Sequence, residues 1–292
     1  MSGYIPAVDT SATQHDGTEA LAVNATLVRR FLTLLALNTT GRFYRNGSAC
    51  VRISNHLVVK TSPWVHLTEA ATMQFVAAHT SIPVPRVYCA FVRKNHAFIV
   101  MDRVPGVSIA TAWKTLTGAE RDAIFAELRG MFDELRALPP PPGCGIQSCV
   151  GGSLRDSRLP RSLPRFGPFK TTQEFHFWLR HEMQPENHPN RKDDQDWKGI
   201  DAMVARQDGP WPAPVFTHGD LNPSNIFVHK GRVSGIIDWE FSGWYPPYWD
   251  YTSTWCWAVM ATEWRDAVGK FLSPWPEELE MEITRHRWWG EY

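Results

Sequence analysis

Apolar and polar positions change rhythm several times along the chain. Residues 18–37 (TEALAVNATLVRRFLTLLAL) carry apolar positions at helical spacing, which predicts one helix. From residue 42 the rhythm shortens. FYRNGSACVRI contains Asn46-Gly47, a strong hairpin signal, and Ser54-Asn55-His56 separates CVRI from LVVK, so three short strands are predicted over 42–61. Residues 67–79 (LTEAATMQFVAAH) return to a helix. In IPVPRVYCAFVRKNHAFIVMDRV the prolines impose an extended start, and residues 87–92 and 97–101 read as strands paired around Lys94-Asn95.

After Pro105-Gly106 the pattern becomes helical. Residues 119–138 form the clearest amphipathic helix, stopped by the prolines that follow. Residues 143–170, rich in Gly, Pro, Ser and Arg, predict a long loop with a small hairpin. Helices follow at 171–182 and 194–206, two or three short strands lie in 215–238, and 249–292 is helical and full of Trp. No internal repeat is visible. The expected architecture is α+β and bilobal: a flexible leader over 1–17, an N-terminal lobe over 18–103 built on a small antiparallel sheet with one helix, and a larger, mainly helical lobe over 104–292.

Composition narrows the partners. Among 292 residues, 30 Lys plus Arg balance 30 Asp plus Glu. A net charge of zero argues against a nucleic-acid binder, which needs a cationic surplus, and against a polybasic membrane-surface protein. The five cysteines (Cys50, Cys89, Cys144, Cys149, Cys256) are odd in number and scattered, a pattern that suits thiols in a reducing compartment. The first twenty residues lack the charged-then-apolar order of a signal peptide, and the apolar run at 31–37 is too short to span a bilayer. A soluble, cytoplasmic monomer or weak dimer is expected. The 14 Trp need either a core or an aromatic-lined pocket.

The chemistry concentrates in VFTHGDLNPSNIFVHKGRVSGIIDWEFSGWYPPYWD, residues 215–250. His218-Gly219-Asp220 follows an apolar strand, Asn225 lies five residues after Asp220, and a short hairpin ends in Asp238. Phosphoryl transfer needs an acceptor hydroxyl held in line, a carboxylate to take its proton, and a divalent cation on the phosphates. Mg²⁺ prefers oxygen ligands, and an Asn carbonyl with an Asp carboxylate across a hairpin supplies such a pair. Asp220 is then the base or acceptor-orienting group, with Asn225 and Asp238 as metal ligands. The plainer reading of Asp220 and Asn225 is a turn with side-chain caps.

HGDLNPSN followed by IIDWE resembles the aminoglycoside phosphotransferase and choline-kinase-like family, a relative of the H-R-D-x-x-x-x-N and D-F-G sets of protein kinases. LVVK at 57–60, TEAATMQFV at 68–76, IPVPRV at 82–87, FIVMDRVPG at 98–106 and GPF at 167–169 fall in the family's order, so the resemblance covers roughly 40–265. It implies a protein-kinase-like fold and an ATP- and Mg²⁺-dependent small-molecule kinase that phosphorylates a hydroxyl. It implies that Lys60 contacts the α- and β-phosphates, that Glu69 orients Lys60, and that the backbone around Met101, Asp102 and Val104 holds adenine. Asp220 would serve the acceptor, Asn225 and Asp238 would hold magnesium, and His218 would brace the catalytic loop. One departure is the phosphate-covering hairpin, RNGSA at 45–49, which has a single glycine and offers the Ser48 hydroxyl. Outside this frame Lys60 reads as a snorkelling strand-end lysine and Glu69 as a first-turn acid behind a Thr68 cap.

Two rivals remain. A protein kinase is disfavoured because Gly219 stands where regulated kinases carry Arg, and only WEFSGWYPPYW separates Asp238 from Asp250. Asp250 is expected to be an orienting or structural group. A nucleotide-binding pseudokinase scaffold draws support from the irregular first hairpin alone. After Asp238 acids outnumber bases, which would suit a cationic amino-alcohol or aminoglycoside acceptor, with Trp239, Trp244, Tyr245, Tyr248, Trp249, Trp255 and Trp257 adding cation–π contacts. The alternative is solvated acidic helix faces and core indoles.

Overall fold

Thr26 opens the first helix, α1 (Leu27–Asn38), its hydroxyl accepting the Arg29 amide. The computed structural model describes residues 14–15, 17–44, 49–159, 164–188, 195–257 and 262–290. The single helix expected over 18–37 is broken. A 3-10 turn at Thr18–Leu21 comes first, and then Val23 pairs with Ala90 through two amide–carbonyl bonds of 2.9 and 2.8 Å. Asn24 takes a positive φ of 45°. Capture by a strand edge outweighs the helical periodicity here. The first of the three strands expected over 42–61 is also replaced, by a 3-10 turn at Thr40–Tyr44, while Asn46-Gly47 and Ser48 lie outside the described residues.

The other two strands form as β1 (Cys50–Arg52) and β2 (Leu57–Ser62). The Ser54 hydroxyl accepts the His56 and Leu57 amides and shapes the turn between them. α2 (Leu67–His79) follows, capped by the imidazole of His66, which accepts the Thr68 amide, rather than by Thr68. β3 (Val87–Arg93) and β4 (His96–Asp102) pair across Lys94 and Asn95, both at positive φ, as a two-residue hairpin turn requires. The strands make one antiparallel sheet in the order β1-β2-β4-β3. Its last residue, Asp102, precedes the change to helical structure.

The second lobe begins with β5 (Val107–Ser108) and α3 (Ile109–Ala112), then α4 (Gly118–Arg136), which starts at a Thr117–Glu120 capping box. Residues 143–170 form no helix or strand among those described. They fold back through bridges Ile146↔Phe169 and Leu154↔Phe166, the small hairpin that the composition suggested. There follow α5 (Thr172–Leu179), α6 (Gln195–Asp208), β6 (Val215–Thr217), β7 (Ile226–His229), β8 (Arg232–Ile236), β9 (Gly243–Tyr245), α7 (Trp249–Trp257), α8 (Thr262–Phe271) and α9 (Pro276–Trp289). β5-β7-β8 make one small sheet and β6-β9 another. Ile124, Phe125, Leu128 and Phe132 of α4 share a core with Phe216, Ile226, Trp264 and Phe271. No helix among the described residues is long and apolar enough to cross a membrane.

A second core stacks Phe166, Phe175, Trp178, Tyr245, Tyr248 and Trp249, all at or below 3 % exposure. Trp239 and Trp244 belong to the first core. Five of the rings considered for an acceptor surface are therefore interior packing.

Candidate active site

The site starts where β6 runs out. His218 and Asp250 are both fully buried. The Asp250 carboxylate, in the first turn of α7, accepts the Gly219 amide at 2.9 Å and the His218 amide at 3.3 Å. Gly219 has φ 85°, and a Cβ there would lie 2.6 Å from the Phe241 carbonyl oxygen, so this position requires glycine. The His218 Nδ1 accepts the Asp220 amide at 3.1 Å, which leaves Nε2 as the protonated nitrogen donating to the Ile237 carbonyl at 3.1 Å. Burial lowers the pKa of His218 against the pull of Asp250 and Asp220, so the ring stays neutral and ties the Asp220 loop to the strand leading into Asp238.

Asp220 and Asn225 meet directly. Asn225 Nδ2 donates to Asp220 Oδ2 at 2.9 Å and to the Asp220 carbonyl at 3.0 Å, and Asn222 Nδ2 donates to the same Oδ2 at 3.0 Å. The Asn225 amide group thus spends its donors on Asp220, and its oxygen is the atom left for a cation. The Ile237 amide donates to the Asn225 carbonyl at 2.9 Å, so the residue before Asp238 is fixed to the same loop. Asp238 sits in the left-handed region, φ 66° and ψ 58°, ahead of a 3-10 turn at Trp239–Phe241. A non-glycine residue held there stores strain of the kind found at ligand sites.

Lys60, from β2, reaches this carboxylate. Its Nζ lies 2.9 Å from Glu69 Oε1, 2.5 Å from Asp238 Oδ1 and 3.8 Å from Glu240 Oε2. Cys50 and Ile99 flank Lys60 on the neighbouring strands. Burial opposes its charge, but Glu69, Asp238 and Glu240 together raise its pKa well above the ordinary value. Burial pushes the Glu69 carboxyl up to about 7 against Lys60, with Asp238 and Glu240 adding to the rise. Ligand atoms of Glu69, Asp238 and Glu240 lie within 4.8 Å of one another. Three carboxylates thus face Lys60 and Arg155, whose Nη1 is 3.0 Å from Glu240. Hard oxygen donors with an acid surplus match the chemistry of a divalent cation such as Mg²⁺.

The hinge residues are placed less simply. Met101 is buried inside β4, paired with Val58 and Val87. The Asp102 amide donates to the Arg86 carbonyl at 3.1 Å and the Arg103 amide to the His56 carbonyl at 2.7 Å. The Asp102 carboxylate accepts the Tyr88 hydroxyl at 2.9 Å. Those two amides are therefore already committed to the sheet. Val104 packs on Gly235 so closely that a Cβ on the glycine would meet Val104 Cγ1 at 2.6 Å.

Four residues escaped the motif reading. Glu240 could have been noticed as the second acid of IIDWE. Arg155, Asp156 and Arg158 carry no signal, because they come from the 143–170 segment and reach the site only through its fold. Arg158 Nη1 lies 3.0 Å from Asp220 Oδ1. The acids after Asp238 do not face Asp220 as a group. Glu278 pairs with Arg206, Glu282 with Arg285 at 2.8 Å, Glu263 with the Trp113 indole, and Glu277 and Glu280 are exposed. The acidic tail therefore reads as paired and solvated helix faces.

Residues 39–280 match the family model described as "Phosphotransferase enzyme family". The chain is 26% identical over 165 residues to an aminoglycoside 3'-phosphotransferase of Enterococcus faecalis, a stretch that is 56% of this chain and 54% of the relative. It is 27% identical over 175 residues to an aminoglycoside 3'-phosphotransferase of Streptomyces fradiae, covering 58% and 56%. The chain thus spans about half the length of these curated relatives. Among solved structures, a thermostable mutant of aminoglycoside phosphotransferase APH(4)-Ia in ternary complex with AMP-PNP and hygromycin B superposes with a TM-score of 0.54 at 13% identity, covering 81% of this chain and 78% of that one. At that identity the likeness concerns the fold, which is the two-lobed kinase-like one.

Proposed function

The chain belongs to the phosphotransferase enzyme family, and from that premise we propose that it moves the γ-phosphate of ATP to the hydroxyl of a small molecule with the help of Mg²⁺. The observation that carries this reading is the meeting of Lys60 with Asp238, 178 residues apart, and with Glu69 from a third element, beside the hydrogen-bonded pair Asp220–Asn225. A strand-end lysine exposed to solvent would show none of these contacts. The proposal keeps residues 18–103 as the nucleotide lobe and 104–292 as the catalytic lobe.

In this scheme Lys60, held by Glu69, would bear on the α- and β-phosphates. The Asn225 amide oxygen and the Asp238 carboxylate would hold Mg²⁺, whose bound charge offsets that of the phosphates. Asp220 accepts the hydroxyl proton while the acceptor oxygen bonds to phosphorus and ADP leaves with the bond electrons. His218 and Asp250 move no proton; His218 holds the Asp220 amide and Asp250 holds the two amides before it. A cytoplasmic setting suits the free thiols of Cys89, Cys144, Cys149 and Cys256.

ADP release tests the reading on a panel of choline, aminoglycosides, amino sugars and indole alcohols. Asp220→Asn should keep Mg²⁺–ATP binding and lose transfer by about 10²–10⁴-fold. Mg²⁺–ATP binding without turnover of any hydroxyl would favour the scaffold reading instead.

A further inference from the structure

Asp220 is held from two sides, and only one belongs to the family motif. Its Oδ2 is fixed by Asn225 and Asn222. Its Oδ1 faces the 143–170 segment, where Arg158 donates from Nη1 at 3.0 Å. The same guanidinium donates from Nη2 to the Gly219 carbonyl. Arg158 is itself gripped. Its Nε donates to Asp156 Oδ1 at 2.8 Å and its Nη2 to Asp156 Oδ2 at 2.7 Å, a two-point pair. The Arg158 amide donates to the same carboxylate at 3.0 Å, and the guanidinium carbon lies 4.9 Å from the centre of the Phe241 ring. Asp156 is 1 % exposed, so this pair forms where water competes little.

We propose that Arg158 is a positioning residue for the transfer. Rotation of the Asp220 carboxylate about Cβ–Cγ would have to break bonds at both oxygens. A carboxylate oxygen offers about two lone-pair directions. Arg158 occupies one on Oδ1 and leaves the other for the acceptor hydroxyl. A lysine would supply the charge without the fork that engages Asp156, Asp220 and Gly219 together. The inference rests on the phosphotransferase reading.

The test uses the full chain, with water as the acceptor and Mg²⁺–ATP as the only other reactant. Mg²⁺–ATP affinity is measured by calorimetry and ATP hydrolysis by ADP release. Arg158→Ala should lower kcat by about 10²–10³-fold, the scale seen when one oriented group is lost, with Kd for Mg²⁺–ATP unchanged within about two-fold. Added guanidinium at tens of millimolar (about 20–50 mM, far below denaturing levels) should restore part of the rate, and NaCl of equal ionic strength should not. Arg158→Lys should recover less than guanidinium does. Should Arg158→Ala fold poorly, Asp156→Asn keeps the arginine but loosens it, and should lower kcat in the same direction with Kd unchanged. Native kcat in the Arg158 variants, or parallel loss of Kd, thermal stability and kcat without guanidinium rescue, overturns the proposal and leaves Arg158 a structural tie. A native chain that binds no Mg²⁺–ATP overturns the phosphotransferase reading and this proposal with it, an outcome separable from the others by the binding measurement.

Discussion

Around Lys60 three carboxylates crowd two cations, whereas around Tyr248 rings pack on rings. His176 illustrates the second region: Nδ1 meets the Gln207 carbonyl at 2.9 Å and Nε2 meets the Tyr248 hydroxyl at 2.7 Å. Phe175 packs edge-on against Trp249 at 5.1 Å, and Tyr245 stacks on Trp249 at 5.3 Å. The aromatic block gains from being closed. The Lys60 region is left short of positive charge, which costs stability and would give a bound cation something to neutralise. Density of aromatic residues marks a core here, and density of like charge marks the candidate site.

The largest expected effect tests the aromatic half of that contrast. Phe175→Ala should cost about 3–5 kcal/mol in urea unfolding, while the folded fraction keeps its Mg²⁺–ATP affinity. A shift in acceptor KM with little loss of stability would instead return the rings to the binding surface. Next comes pH. Burial lowers the His176 pKa to about 3, so neutral imidazole belongs to the native state. Its stabilisation is complete above the unfolded value near 6.5 and is lost as pH falls from there towards 3. His176→Gln should flatten that slope in denaturant midpoints measured between pH 4 and 7.

Glu69 should respond with the opposite sign. Its carboxyl is raised to about 7, so in the metal-free chain its charge opposes folding. That cost is absent below about 4.5 and grows as pH rises towards 7. Glu69→Gln should remove this loss while keeping an acceptor for Lys60, and the difference between the two unfolding curves isolates it. Equal slopes for native and Glu69→Gln would mean that the Lys60 cluster carries no excess charge. The smallest effect belongs to the exposed Lys270–Asp122 pair, 2.7 Å long and 55 and 65 % exposed at its two side chains. Lys270→Ala should change stability by less than about 1 kcal/mol and leave ATP binding alone.

Motif spacing pointed to the parts of the candidate site that lie within one short segment. His218, Asp220, Asn225 and Asp238 occupy one loop and one hairpin, and local chain geometry brings them together. Lys60 and Glu69 were legible only through the family resemblance, since on their own they read as a strand-end lysine and a first-turn acid. Arg158 and Asp156 were not, since residues 143–170 read only as a Gly/Pro/Arg-rich loop and their place depends on bridges to Phe166 and Phe169. The broken helix at 22–26 failed for a related reason: Val23 is drawn off by Ala90, 67 residues later in the numbering, a contact with no trace in local periodicity. The same holds for the tail, where a count of acids cannot tell that Arg206 and Arg285 take up Glu278 and Glu282.

On the proposed function, the Lys60–Asp238 cluster would receive a metal–nucleotide complex. Calorimetric titration of ATP into the native chain and Asp238→Ala, each with Mg²⁺ and with EDTA, tests it most directly. Mg²⁺-dependent binding by the native chain and its loss in Asp238→Ala are expected. Equal ATP binding by both proteins in Mg²⁺ and EDTA, or none by the native chain with Mg²⁺, would contradict it.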